Sequence, residues 1–259
     1  MQGHRPRKRF GQHFLADSHY VARIVTAIDP QSGENLVEIG PGLGALTGAL
    51  IDRAQKIAAI EIDRDLAARL RERYAADRLA LYETDALRFD FALLGAALRV
   101  VGNLPYNISS PLLFHLASFE SQLRDIHVML QREVVARMTA APATRDYGRL
   151  SVMLQVRFRV TRLFTVPAGA FRPAPKVLSA LVRLRFHRPD PPVADPIVLA
   201  GVVQAVFTRR RKTLANALRA YEPAARGSIA RVLSAAALDG GRRPETLTVA
   251  EFARLADAL

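Results

Sequence analysis

No cysteine occurs anywhere in the 259 residues. Disulfide frameworks, thiolate metal sites and cysteine nucleophiles are therefore excluded, and the chain suits a reducing compartment. Its six histidines, His4, His13, His19, His115, His127 and His187, fall without metal-ligand spacing, so no metal is expected. Long apolar runs are missing too. Nothing approaches the roughly 18 residues needed to cross a bilayer, and the N-terminus is polar and basic with no apolar signal core. A cytoplasmic protein without a membrane partner is the expectation. Acids are also in short supply, 24 against 37 bases, for a net charge of +13. A surface of that sign attracts polyanions, nucleic acid among them. The dominance of Arg over Lys is what a GC-rich coding sequence would produce, but the excess over acids needs another reason. Two clusters concentrate it: Arg5, Arg7, Lys8 and Arg9 near the start, and Arg209, Arg210, Arg211 and Lys212 near the end.

Half of the residues are hydrophobic, enough for one large domain and a smaller one. Ser18 reads as a helix N-cap, followed by Val21, Ile24, Val25 and Ile28 at helical spacing and a stop at Asp29-Pro30. Short apolar runs of strand length then alternate with helical periods. The strands are expected at Asn35–Ile39, Lys56–Ile62, Leu79–Thr84, Arg99–Gly102 and Asp125–Gln131. Helices are expected between them at Leu46–Arg53, Arg64–Ala76 and Ser110–Ser118, the last opened by Ser110 as cap and Pro111 in the first turn. This alternation predicts an α/β, doubly wound Rossmann-like domain. Val156–Thr165 and Val177–Phe186 read as an antiparallel pair at the sheet edge. His187–Pro196 is proline-rich and stiff, and the remainder is helical, so the predicted domains are 1–188 and a small helical 189–259.

Within the first domain, Val37-Glu38-Ile39-Gly40-Pro41-Gly42-Leu43-Gly44 runs from a strand through a glycine turn into a helix. The glycines let the backbone approach a ligand closely. Their spacing departs from the dinucleotide fingerprint G-x-G-x-x-G, and no Gly-Lys-Ser/Thr follows to make a P-loop. Glu61, at the end of the second strand, stands where a carboxylate accepts both hydroxyls of a ribose. Asp85 ends the third strand on the same edge, suited to an adenine amino group. Each acid alone could be a helix cap; with the glycine loop they point to a nucleoside, and cationic S-adenosylmethionine needs no phosphate cradle.

At the end of the fourth strand comes Asn103-Leu104-Pro105-Tyr106. A planar amine is a poor nucleophile because its lone pair is delocalised. Two acceptors on its hydrogens, the Asn103 side-chain oxygen and the Leu104 carbonyl, would draw it toward tetrahedral geometry. Pro105 fixes the turn and adds no donor, and Tyr106 offers a stacking face. Related tetrads handle glutamine as well as adenine, so these four residues leave the amine open.

The chain resembles the ribosomal RNA adenine N6,N6-dimethyltransferases, the bacterial small-subunit enzymes most of all. The resemblance rests on Arg7-Lys8-Arg9-Phe10-Gly11-Gln12-His13-Phe14-Leu15, the glycine loop, Ile60-Glu61-Ile62-Asp63, Thr84-Asp85-Ala86 and Gly102 to Ser109. It continues through Met129 to Val134, Tyr147 to Ser151, Phe171-Arg172-Pro173-Ala174-Pro175-Lys176-Val177 and Arg210-Arg211-Lys212-Thr213-Leu214. It implies an S-adenosylmethionine-dependent methyltransferase whose cofactor is held by His13, Leu15, Gly40, Gly42, Glu61, Asp85 and Asn103. His13 departs from the bacterial pattern, which often has Asn there. The resemblance further implies that Phe171 sandwiches the target adenine with Tyr106. Arg7, Lys8, Arg9, Arg209, Arg210, Arg211 and Lys212 would grip RNA phosphates. The implied substrate is two adjacent adenosines in a hairpin loop near the 3′ end of the small-subunit RNA, each methylated twice. The implied partner is an assembling 30S particle, met by a monomer.

Overall fold

The computed structural model describes residues 12–105 and 108–259. In chain order the elements are β1 (Phe14–Leu15), α1 (Ser18–Ile28), β2 (Leu36–Ile39), α2 (Ala45–Ala54), β3 (Ile57–Glu61), α3 (Arg64–Arg73), β4 (Leu79–Glu83), β5 (Leu98–Asn103), α4 (Ser109–Ala117) and β6 (Leu123–Gln131). They continue with α5 (Arg132–Met138), α6 (Arg149–Gln155), β7 (Phe158–Val166), β8 (Phe171–Arg172), β9 (Ser179–Phe186), α7 (Pro196–Thr208), α8 (Leu214–Leu218), α9 (Glu222–Arg226), α10 (Ile229–Ala235) and α11 (Val249–Asp257). Packing divides them into two compact units, Met1–Val135 with Thr161–Phe186, and Ala136–Val160 with His187–Leu259. Among the described residues no helix is long and apolar enough to cross a membrane.

The first unit is built on a seven-stranded sheet ordered β4-β3-β2-β5-β6-β9-β7. β4, β3, β2, β5 and β6 are parallel, and β9 returns antiparallel to β6. Strands covered on both faces read as continuous apolar runs, and β3, Ile-Ala-Ala-Ile-Glu, is buried at every position. This is the expected doubly wound plan, with β9 and β7 neighbours at the edge. The winding reverses between β2 and β5, which opens a crevice at the carboxyl ends of those strands. The two lie unusually close there. A Cβ on Gly102 would stand 2.7 Å from the Ile39 carbonyl oxygen, so only glycine fits.

Local details differ from the sequence expectations. Asp17, not Ser18, caps α1, its carboxylate accepting from the His19 N–H; Ser18 is already helical. α4 starts at Ser109, so Pro111 is its third residue. A missing N–H costs nothing there, because the first-turn donors have no helical acceptor. β1 and β8 form a separate two-stranded sheet, with Leu15 opposite Phe171. Two-residue strands carry no periodicity from which to infer them.

In the second unit, Val202, Val203 and Val206 of α7 pack with Leu214 and Leu218 of α8, Phe252 and Leu255 of α11, and Tyr147 and Val152. The Tyr147 hydroxyl donates to the Leu247 carbonyl at 2.8 Å, and the Ala143 N–H to the Glu245 carbonyl at 2.7 Å. By packing, then, 136–160 belongs with the C-terminal helices, whereas the predicted division at 188 placed it in the first domain. A seven-residue helix between two strands does not announce which core its apolar face enters. The His187–Pro196 segment still follows the point where the chain leaves the first unit for the last time.

Near the amino end of β5, Arg99 is 4% exposed. Its guanidinium grips Asp125 of β6 through two contacts of 3.1 Å and Glu34 at 2.6 Å. It also donates to the Ile28 and Asp29 carbonyls at the end of α1, which a helix terminus leaves without partners. Burial raises the Asp125 carboxyl, but His127 and Arg99 outweigh it and hold the group at about 2. Arg99→Met should destabilise the protein by about 3–5 kcal/mol in urea unfolding, because two carboxylates lose their buried counter-ion. The Asp125 contribution should be fully present above its ordinary value of 3.8 and lost as pH falls through about 2. Asp125→Asn should remove that part of the acid-side slope.

Candidate active site

An open cavity of about 1190 Å³, counted with its solvent mouth, occupies the crevice at the carboxyl ends of β2, β3, β4 and β5. Its floor is the Gly40–Gly44 turn between β2 and α2. Gly42 has φ +59°, and a Cβ on it would meet the Phe14 ring at 2.9 Å. The turn is thus closed down by a side chain of the N-terminal segment. Glu61 ends β3, 5% exposed. Its Oε2 accepts from the Gly42 N–H at 3.1 Å and its Oε1 from the Asp63 N–H at 2.9 Å. A carboxylate has about four acceptor positions, so capacity remains for ligand hydroxyls. Burial pushes the Glu61 carboxyl up, and these N–H donors oppose that. Asp85, after β4, lines the same cavity and accepts from the Leu87 N–H at 2.9 Å.

The N-terminal segment passes over this floor. Gln12 donates to the Asp63 carboxylate at 3.2 Å, and the His13 ring Nδ1 lies 2.8 Å from the Pro173 carbonyl. The Asn103 amide nitrogen donates to the His13 carbonyl at 2.7 Å. Only the NH₂ end of the amide can serve a carbonyl oxygen, so Oδ1 is the acceptor end. Leu104, 2% exposed, and Pro105 also line the cavity.

Of the residues expected from sequence, the fold brings His13, Leu15, Gly40, Gly42, Glu61, Asp85, Asn103, Leu104 and Pro105 to one cavity. Tyr106, Arg7, Lys8 and Arg9 lie outside the described residues. Phe171 departs from expectation. It is 0% exposed, packed in the core with Leu15, Val166 and Leu181, and does not line the cavity. In this conformation it has no free face for a base, and its work is packing. Arg210 departs as well. It donates to the Thr144 and Arg145 carbonyls at 3.1 and 3.0 Å and pairs with Glu245 at 3.8 Å, acting as an internal brace of the second unit. Its neighbours Arg209, Arg211 and Lys212 are exposed.

The cavity also contains residues the sequence reading passed over: Gln12, Phe14, Glu38 and Ile62. Glu38 had a signal, being the one carboxylate inside an otherwise apolar strand. It is 2% exposed, accepts from the Thr47 hydroxyl at 2.6 Å, and is raised to about 7 by burial and by the charge of Glu61. Glu38, Glu61 and Asp85 face a cavity whose described lining holds no Lys or Arg, in a chain of charge +13. Such a pocket selects a cation, not a phosphate ligand.

A family model described as ribosomal RNA adenine dimethylase matches residues 3–255. A curated protein named ribosomal RNA small subunit methyltransferase A, from Aromatoleum aromaticum, is 56% identical over 253 residues, covering 97% of this chain and 93% of its own. The protein of that name from Thiobacillus denitrificans is 54% identical over 250 residues, covering 96% of each. Among solved structures, a dimethyladenosine transferase from Plasmodium falciparum superposes with TM-score 0.81 at 25% identity, covering 94% of this chain and 96% of that one. The 23S rRNA methyltransferase ErmE gives 0.70 at 27% identity, covering 95% and 99%.

Two outcomes are expected from these contacts. Gly42→Ala, which must displace the Phe14 ring and strain a left-handed backbone, should weaken S-adenosylmethionine binding at least tenfold in calorimetry. Arg210→Ala should lower the melting temperature by about a degree or two and change the salt dependence of RNA binding less than Arg209→Ala or Arg211→Ala does, since its guanidinium is already engaged by the Thr144 and Arg145 carbonyls and Glu245.

Proposed function

The chain belongs to the ribosomal RNA adenine dimethylase family, and on that premise we propose that it dimethylates N6 of two adjacent adenosines in a 3′-terminal hairpin loop of small-subunit RNA. The observation that carries this reading is the convergence of an acid-lined, glycine-floored nucleoside cavity with Asn103 and Leu104 at the end of the adjacent strand. S-adenosylmethionine is the methyl donor, and when bound it supplies an electrophilic methyl on a sulfonium.

The protein residues do the positioning. Glu61 accepts from the ribose hydroxyls while its other contacts hold the Gly42 turn against the ligand. Asp85 accepts from the adenine amino group. Asn103, its NH₂ tied to His13, presents Oδ1 to one hydrogen of the target amine, and the Leu104 carbonyl takes the other. Both acceptors pull electron density onto N6 and aim its lone pair. Tyr106 stacks on the flipped base. No side-chain base is required, because the methylated ammonium is acidic enough to release its proton to water. The exposed Arg209, Arg211 and Lys212 of the helical unit contact phosphates, as do Arg7, Lys8 and Arg9, on a subunit still being assembled. We place the protein in the cytoplasm, acting as a monomer.

The likeness to ErmE raises a second reading, methylation of large-subunit RNA. Purified protein should be given each unmethylated subunit with isotopically labelled S-adenosylmethionine, and the RNAs read by mass spectrometry. Paired N6,N6-dimethyladenosines in small-subunit RNA are expected; label confined to large-subunit RNA would transfer the assignment, and no dimethyladenosine in either would end it. Glu61→Ala should weaken S-adenosylmethionine roughly tenfold to a hundredfold with RNA binding retained. Joint loss of both would contradict separate sites.

A further inference from the structure

The nucleoside reading leaves one group in the cavity without a task. Glu38 lies at the third position of β2, lines the cavity beneath the Gly40–Gly44 turn, and is almost wholly removed from water. Glu61 of β3 shares its cavity. Two carboxylates so placed do not both ionise readily, and the contacts decide which keeps a proton. Glu61 accepts from two backbone N–H groups, which cannot reverse and favour its anion. Glu38 accepts from the Thr47 hydroxyl of α2, and a hydroxyl can turn to accept from a carboxylic acid instead. The Glu38 site therefore tolerates either state. The other groups around it do not supply a counter-charge. Tyr74, after α3, is a neutral phenol whose own ionisation Glu38 opposes. Asp63 and Asp85 are acids, and His13 is engaged with the Pro173 carbonyl. Arg73 of α3 points its guanidinium at the Leu43 carbonyl, 3.5 Å away, and does not line the cavity. The Glu38 carboxyl, raised to about 7, sits where a modest change in local charge switches it.

The cofactor and its spent form differ by one charge. S-adenosylmethionine carries a sulfonium and an ammonium against one carboxylate and is a net cation, whereas S-adenosylhomocysteine has lost the sulfonium and is neutral. We propose that Glu38 selects between them: it shares its site with a proton in the ligand-free protein, releases that proton to solvent when the cationic cofactor enters, and regains it when the neutral product is left behind. The cavity then holds the methyl donor against a fresh carboxylate and holds the product without one, which favours exchange after each transfer. Repeated transfer to one RNA needs such exchange. The proposal rests on S-adenosylmethionine as the ligand and on no detail of the RNA.

The test is isothermal titration calorimetry of the full chain with each ligand, in paired buffers of different ionisation enthalpy, from about pH 6 to 8. Buffer-dependent heat should show release of a large fraction of one proton per S-adenosylmethionine below about pH 7, and far less for S-adenosylhomocysteine. The ratio of the two affinities should rise roughly fivefold across the range and then level off. Glu38→Gln should abolish the release and flatten the ratio. Thr47→Val, which removes a donor to the carboxylate, should carry the release to higher pH, and decides the matter if Glu38→Gln does not fold. Heats independent of buffer, equal release for both ligands, or release that survives in Glu38→Gln would each overturn the proposal while the cofactor stands. Failure of both ligands to bind would remove the cofactor assignment and this inference together.

Discussion

The hydrogen bond from the Asn103 amide to the His13 carbonyl joins the two halves of the site's chemistry. One partner ends β5; the other belongs to a segment ninety residues earlier in the chain. That bond orients the amide, and several contacts keep His13 where it must be. β1 pairs with β8, Gln12 reaches Asp63, the His13 ring meets Pro173, and the Phe14 ring lies on Gly42. The same segment thus presses on the glycine turn and fixes the Asn103 amide. The glycine turn and the Asn103 amide therefore share one support.

Charge is divided in space. The chain as a whole is strongly positive, which suits a polyanionic RNA at near-surface range. The cavity lining is acidic, which suits a cationic methyl donor. Dissolved salt screens the two fields from each other over roughly 10 Å at about 0.1 M ionic strength, so one protein can attract ligands of opposite sign to different places. Arginine contacts away from the site serve a different end: the buried Arg99 ties the end of α1 to β5 and β6, and the half-exposed Arg210 braces the second unit through backbone carbonyls.

Legibility in the sequence followed the range of the interactions concerned. The parallel strands were visible because burial on both faces writes a continuous apolar run, and β3 shows it plainly. The glycine turn, Glu61, Asp85 and Asn103 were visible because each lies at or just past the end of a parallel strand, and strand ends in this topology share one edge. Phe171 and Arg210 sit differently from the sequence expectation for a common reason. An aromatic beside prolines and an arginine within a basic run look like ligand-facing groups until their partners are known, and here those partners are a packed core and two carbonyls. The 136–160 segment was assigned by its place in the chain, when its contacts are with the terminal helices.

By itself, then, the amino-acid order determined the alternating α/β plan, the carboxyl-edge placement of the glycine turn, Glu61, Asp85 and Asn103, and the sign of the outer charge. These follow from local periodicity, from strand ends, and from composition, none of which needs a distant partner. The tertiary structure alone decided that Asn103 is oriented by His13, that Phe14 closes on Gly42, that Glu38 shares a cavity with Glu61, and that 136–160 joins the second unit. Each of these is a contact between residues far apart in the chain, and a side chain's exposure, charge state and free hydrogen-bonding end are set by the neighbours that folding brings to it.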